Sequence, residues 1–91
     1  MLEAPILVVN QLGLHARAAA QLVRLAGKFK SRIMITRPDR NITANAKSIL
    51  SVLTLAAAIG TELLVSVDGD DEEQALEELT ALFANRFGES L

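Results

Sequence analysis

Strand-type and helix-type apolar patterns alternate along the 91 residues, and their order constrains the fold more than any other feature. Short runs rich in Val, Ile and Leu predict strands at 5–9 (PILVV), 32–36 (RIMIT), 41–45 (NITAN) and 62–68 (ELLVSVD). Apolar residues spaced three or four positions apart predict helices at 16–29, 48–59 and 69–88. The order β-α-β-β-α-β-α predicts one α+β domain over residues 1–91, with an antiparallel sheet covered by helices on one face.

Each predicted helix has an apolar face that we expect to pack on the sheet. The expected core residues are Ala19, Leu22, Val23, Ala26 and Phe29 in the first helix, Ile49, Val52, Leu55, Ala56 and Ile59 in the second, and Leu76, Leu79, Leu82 and Phe83 in the third. Gly60 and Gly88 are expected to end the second and third helices, with Arg86 in the last turn of the third.

The starts of the helices differ in charge. The third follows the usual rules, because Asp70 and Glu73 have capping-box spacing and acids fill the first turn. The first instead offers His15 and Arg17, and the second is preceded by a lysine. Positive charge at the positive end of a helix dipole is unfavourable by roughly a few tenths of a kcal/mol. These starts therefore predict a vacant anion site, for which phosphate is the natural occupant.

His15 is the only histidine in the chain. A neutral histidine ring nitrogen is a nucleophile, so it can bind a phosphoryl group covalently. The alternatives are an ordinary surface residue or an improvised helix cap. A metal site is poorly supported by one histidine without cysteine, and nothing in the sequence places the acid and oxyanion hole of a serine–histidine pair.

The composition argues against several other classes. A net charge of −2 is too small for a bulk nucleic-acid or membrane partner, and three Phe without Tyr or Trp supply no stacking platform for nucleic acid. No stretch approaches the ~20 apolar residues of a membrane span, and the first residues lack a secretory-signal pattern. The absence of cysteine fits a reducing compartment. We expect a soluble cytoplasmic protein that needs no cofactor.

The segment GLHAR, the KSI at the second helix and the ending GTELLVSVDGDDEEQALEEL resemble the HPr family. Its members are the histidine-containing phosphocarriers of the bacterial phosphoenolpyruvate-dependent phosphotransferase system. The resemblance covers residues 5–87 and implies an open-faced sandwich of four antiparallel strands under three helices. It implies that His15 takes phosphate from phospho-enzyme I and passes it to enzyme IIA components. It also implies that Arg17 is the active-site arginine, and that Ser48 is a regulatory phosphorylation site for HPr kinase/phosphorylase.

A docking surface is expected beside the first two helix starts. An apolar patch ringed by basic residues suits a partner with an apolar centre and an acidic rim. The patch comprises Leu14, Ala20, Ile49, Leu50 and Leu53, ringed by Arg17, Arg24, Lys28 and Lys47. The alternative for Leu50 and Leu53 is core packing. We expect a monomer whose partners are enzyme I, enzyme IIA components, HPr kinase/phosphorylase and a transcriptional regulator.

The chain departs from the family pattern in its first two helices. Ala18 stands where proline is usual, which we expect to loosen the helix start and add an N–H donor. Ser51 stands where glycine is frequent, and TLAAAIG lacks a glycine that is common after the leucine. A second functional class is a non-carrier protein-binding module of the same fold, switched by phosphorylation of Ser48. The presence of both His15 and Arg17 favours the carrier, which would feed sugar uptake or a regulatory branch.

Overall fold

The computed structural model describes residues 1–90. Its elements are strand β1 (Leu2–Leu7), helix α1 (Ala16–Ala26), strands β2 (Arg32–Arg37) and β3 (Ile42–Asn45), helix α2 (Ile49–Leu53), strand β4 (Glu62–Asp68) and helix α3 (Glu72–Ala84). Short 3-10 turns occupy Pro38–Arg40 and Arg86–Gly88. The expected order of elements is confirmed. Among these residues no helix is both long and apolar enough to cross a membrane.

The strands form one antiparallel sheet in the order β1-β4-β2-β3. Side chains alternate between the two faces of a strand, so every second residue faces the helices. The buried strand residues are Ile6, Ile33, Ile35, Ala44, Leu63, Val65 and Val67, and they share one core with residues of all three helices. The expected open-faced sandwich is therefore confirmed.

Strand β1 begins at Leu2, earlier than the expected start at Pro5. Pro5 lies inside the strand, opposite Leu64 of β4. A proline has no N–H for a ladder, but β1 is an edge strand with a neighbour on one side only. Because the proline can face outward at the edge, the strand extends through it.

Helix α2 has five residues, so the expected helix over 48–59 is wrong beyond Leu53. Ala56 has a φ of 47°, a left-handed conformation that no α-helix contains. The turn brings the carbonyls of Leu55 and Ala56 to the Arg37 guanidinium, at 3.0 and 2.8 Å. Of the expected core residues, Val52 and Leu55 are buried, whereas Ile49, Ala56 and Ile59 are exposed.

Helices α1 and α3 are shorter than expected, but their apolar faces pack on the core as expected. Helix α1 ends at Ala26, and Phe29 is buried beyond it. The expected core residues Ala19, Leu22, Ala26, Leu79 and Phe83 are buried, while Val23, Leu76 and Leu82 pack against the core from its edge. Arg86 follows α3 with a φ of 57°, so it is not in the last helical turn.

The expected capping box of α3 is also wrong. The N-cap residue is Asp71, one position after Asp70, and its side chain makes no cap hydrogen bond. Its carboxylate accepts hydrogen bonds from the N–H groups of Lys30 and Ser31, at 2.8 and 3.0 Å. The acid therefore joins the start of α3 to the segment that enters β2.

Candidate functional site

His15 is the N-cap residue of α1. Its carbonyl accepts the Ala19 N–H at 2.8 Å, but its ring makes no cap hydrogen bond. The first turn contains no acid. The N–H groups of residues 16–18 therefore lack partners within the helix, as the first N–H groups of any helix do. The ring is not an improvised cap, and the positive end of the helix is open beside it.

The loop before His15 is fixed by a close approach of two backbones. The Leu14 N–H donates to the Ala57 carbonyl at 2.8 Å. Gly13 has a φ of 68°, and a Cβ there would lie 2.5 Å from the same oxygen. Only glycine meets both demands without strain. The turn after α2 therefore helps to set the position of His15.

Glu89 reaches His15 from the other end of the chain. Its Oε2 lies 3.0 Å from Nε2 of His15 and accepts a hydrogen bond from Nδ2 of Asn10 at 2.8 Å. Its Oε1 accepts the Leu12 N–H at 3.4 Å. Burial raises the pKa of the Glu89 carboxyl, but the hydrogen bonds from His15, Asn10 and Leu12 outweigh burial and lower that pKa overall. An ionised carboxylate therefore lies against the ring at neutral pH.

The buried side chain of Asn10 holds this carboxylate in place. It is almost fully buried, and Nδ2 also donates to the Gly13 carbonyl at 2.7 Å. Its buried Oδ1 has no partner among residues 1–90. A flipped amide would place Oδ1 against two acceptors, so the two bonds define its orientation. Neither Asn10 nor Glu89 was expected from the sequence, since no local pattern links residues 79 positions apart.

Arg17 is exposed in the first turn of α1. It lines an open surface depression of ≈ 400 Å³ together with Gln11, Leu12, Glu89 and Ser90. Within residues 1–90 its guanidinium makes no ion pair. The same residues contain no group of three His, Asp or Glu side chains placed to hold a metal ion. The structure thus brings Arg17 and Glu89 to one depression.

Ser48 is the N-cap residue of α2, and its Oγ accepts the Ser51 N–H at 3.4 Å. Nζ of Lys47 donates to the Phe29 carbonyl at 2.7 Å, just beyond the C-terminal end of α1. His15 lies at the opposite end of this helix, whose eleven residues span about 16 Å. The Lys47 side chain therefore links the start of α2 to the segment that follows α1.

The expected docking residues divide between surface and core. Leu50 is 78% exposed and Ile49 is also exposed, whereas Leu14 is only 5% exposed. Leu14 belongs to the core and offers no contact surface, which corrects its assignment to the patch. Leu53 packs against the core, and Ala20 is partly buried; Arg24, Lys28 and Lys47 are exposed.

Known proteins are similar to this chain in fold and sequence. The family model described as the PTS HPr component phosphorylation site matches residues 2–85. The phosphocarrier protein HPr of Cupriavidus necator is 48% identical over 89 residues, which cover 98% of each chain, and that of Xylella fastidiosa matches equally. The crystal structure of HPr-C-His from Thermoanaerobacter tengcongensis has a TM-score of 0.94 and 42% identity, with both chains fully covered.

The family match and the four-stranded sandwich shared with these relatives define a phosphoryl carrier and not a catalyst. The chain belongs to the HPr family of the phosphotransferase system. A carrier of this system works between enzyme I and enzyme IIA components, which are therefore its partner classes.

Proposed function

We propose that His15 is the residue that carries the phosphoryl group, and that Nδ1 is the atom bound to phosphorus. The supporting observation is the 3.0 Å contact between Nε2 and Glu89. An ionised carboxylate only accepts hydrogen bonds, so Nε2 holds the ring hydrogen and Nδ1 of the neutral ring has the lone pair. The side chain is 29% exposed, which leaves it accessible to a partner enzyme.

In this proposal the Nδ1 lone pair attacks the phosphorus atom carried by enzyme I. A nitrogen–phosphorus bond forms, the bond from phosphorus to the donor group breaks, and its electron pair stays with the donor. Transfer to an enzyme IIA component reverses these roles. Such transfer depends mostly on positioning and on stabilisation of the phosphoryl charge.

Arg17 and the open N–H groups of residues 16–18 are the charge-stabilising groups in this proposal. A guanidinium can bind two phosphoryl oxygens at once, and the positive end of a helix favours an anion. Arg17 lies in the first helical turn, two residues after His15. Ala18 supplies one of the N–H groups, which the proline usual in the family would lack.

The test of this proposal is incubation with enzyme I and phosphoenolpyruvate, followed by intact mass measurement. We expect wild type to gain one acid-labile phosphoryl group and His15→Ala to gain none. Ser48→Ala is the matched control and should gain the group as wild type does. Labelling of His15→Ala, or an unmodified wild type, would contradict the proposal.

We also propose that Ser48 accepts a second, regulatory phosphate from HPr kinase/phosphorylase. The support is its partial exposure and the length of its single cap bond, 3.4 Å, which leaves Oγ weakly held. A phosphate would add about −1.5 to −2 charge near the exposed Ile49 and Leu50. An acid-stable phosphate on wild type and on Ser51→Ala, but not on Ser48→Ala, is the expected result of incubation with the kinase and ATP. Modification of Ser48→Ala would refute this assignment.

The docking surface that we propose consists of Ile49 and Leu50, with Arg24 on the neighbouring helix α1 and Lys28 just beyond the end of that helix. An acidic partner with a small apolar contact fits this composition. We propose that the chain acts as a cytoplasmic single-domain monomer, with a transcriptional regulator among its partners. Apart from that pair, the large apolar side chains that are exposed among residues 1–90 are only Met1, Leu7, Leu12 and Ile59, and this small number supports the monomer.

A further inference from the structure

The C-terminal segment follows an unusual path to the site. Arg86, Phe87 and Gly88 all have positive φ, at 57°, 53° and 77°, so the chain turns sharply after α3. Phe87 is buried, and its ring meets that of Phe83 edge to face, with 4.9 Å between centroids. Non-glycine residues adopt this conformation only when their surroundings compensate for the strain. Here the burial of Phe87 compensates for the backbone strain. Glu89 follows Phe87 by two residues.

The Glu89 carboxylate is built into the site from several sides. Its side chain is 15% exposed, and its partners come from Asn10, Leu12 and His15. Arg17 is the other charged side chain that lines the depression beside it. All three hydrogen-bond partners belong to the loop that precedes α1 or to its N-cap. A flexible surface acid would not be held by three hydrogen-bond partners at once. This arrangement therefore points to a role for the Glu89 carboxylate at the His15 ring.

We propose that Glu89 is the positioning residue of His15, which keeps the ring proton on Nε2 before, during and after phosphoryl transfer. This inference rests on His15 being the phosphoacceptor. When Nδ1 binds phosphorus, the ring becomes a cation with its hydrogen still on Nε2, and the carboxylate stabilises that charge. When the group leaves, the electron pair of the broken bond returns to Nδ1. The proton stays on Nε2 throughout, so no further acid or base is needed.

The carboxylate acts on one ring nitrogen and the phosphoryl group on the other. Glu89 therefore need not share the open N–H groups of α1 with the phosphate. This division is the same in principle as a carboxylate that orients a catalytic histidine through one nitrogen while the other does the chemistry. The carboxylate also favours the tautomer with its hydrogen on Nε2, so Nδ1 remains available to a partner.

The experiment compares wild type with Glu89→Ala and Glu89→Gln, with Glu77→Gln as the control on the exposed face of α3. Nitrogen and proton NMR of the single histidine is the first readout, since it needs no partner enzyme. We expect an exchange-protected Nε2–H signal in wild type and Glu77→Gln, its loss in Glu89→Ala, and a weakened signal in Glu89→Gln. An equally protected signal in Glu89→Ala would overturn the inference.

Phosphoryl transfer from enzyme I is the second readout. We expect kcat for Glu89→Ala to fall about tenfold with KM for the carrier unchanged, since charge-assisted hydrogen bonding at the ring is lost but docking is not. Glu89→Gln keeps the size of the side chain and the fold, and its kcat should also fall. An unchanged kcat in both variants refutes the role of Glu89. Phosphorylation of His15→Ala would instead refute the assignment of His15, so the two failures are distinguishable.

Discussion

Helix α3 begins with carboxylates from its own segment, whereas helix α1 begins with His15 and Arg17 and no acid. Two of these acids are engaged in contacts with other parts of the chain. Asp71 accepts the backbone N–H groups before β2, and Glu72 pairs with the N-terminal amine at 3.0 Å. The carboxylate near α1 comes instead from Glu89, 74 positions after His15.

Under the proposal that His15 carries phosphate, this difference separates a structural helix start from one that receives a ligand. A fixed acid at α1 would compete with phosphate for the open N–H groups and for the positive end of the dipole. Glu89 contributes its charge at Nε2 of the ring and leaves those groups open. In the proposed account the two helix starts use carboxylates for different purposes, one to join segments and the other to orient a nucleophile.

The largest effect is expected at Phe87, the buried residue that holds the segment carrying Glu89 close to α1. Phe87→Ala removes a buried ring, so the free energy of unfolding should fall by about 3–5 kcal/mol. The protected Nε2–H signal should disappear as well. Urea unfolding and NMR check both results. Phe87→Leu, which fills most of the space, should cost about 1 kcal/mol; equal stability of all three proteins would contradict the anchoring role.

The second largest effect is expected from removing Arg17 at the start of α1. Arg17→Ala should slow phosphoryl uptake from enzyme I roughly tenfold to a hundredfold, because a charge-stabilising donor is removed. Arg40→Ala, an exposed arginine in the 3-10 turn, is the control and should transfer normally. The rates are measured by quenched-flow labelling. If Arg17→Ala and Arg40→Ala are equally fast, Arg17 has no part in the transfer.

The structural helix start gives a pH-dependent effect. The hydrogen bond from the Ser31 hydroxyl, followed by that from the Lys30 N–H, holds the pKa of Asp71 below its usual value. Ionised Asp71 therefore stabilises the fold above its unfolded-state pKa, and this contribution is lost as the pH falls through the lower folded-state value. Asp71→Asn should lower the urea midpoint at neutral pH and make it less sensitive to acid. Parallel acid curves for the two proteins would contradict this account.

The smallest effect is expected at α2. Ser48→Ala should reduce the free energy of unfolding by about 0.5 kcal/mol, at the low end for an N-cap, because its bond to Ser51 is long. Ser51→Ala should cost more, since Oγ of Ser51 accepts the Asn45 N–H at 2.8 Å. Thermal unfolding of both variants checks the order. A greater loss for Ser48→Ala would show that the cap is stronger than its geometry indicates.

The sequence predicts the order of elements because each has its own apolar period, and the structure confirms that order. The ends of elements are less predictable, since they depend on tertiary contacts. Pro5 lies within β1 only because that strand is at the edge of the sheet. Helix α2 ends early where the Arg37 guanidinium holds the carbonyls of Leu55 and Ala56.

The candidate site was predictable in its local half only. His15 and Arg17 are adjacent to a helix start that can be recognised in the sequence. Glu89 and Asn10 enter the site through contacts between distant parts of the chain. The glycine before Glu89 predicts a turn in the sequence, but it does not predict which way the chain then runs. Leu14 was expected in the docking patch because it adjoins the histidine, but its side chain packs into the core.

The account is tested most directly by nitrogen and phosphorus NMR of protein labelled with ¹⁵N in its one histidine and phosphorylated by enzyme I with phosphoenolpyruvate. We expect phosphorus coupled to Nδ1 of His15 and a proton retained on Nε2, with the Glu89 side chain still beside it. Phosphorus coupled to Nε2, or absent from the ring, would contradict the account.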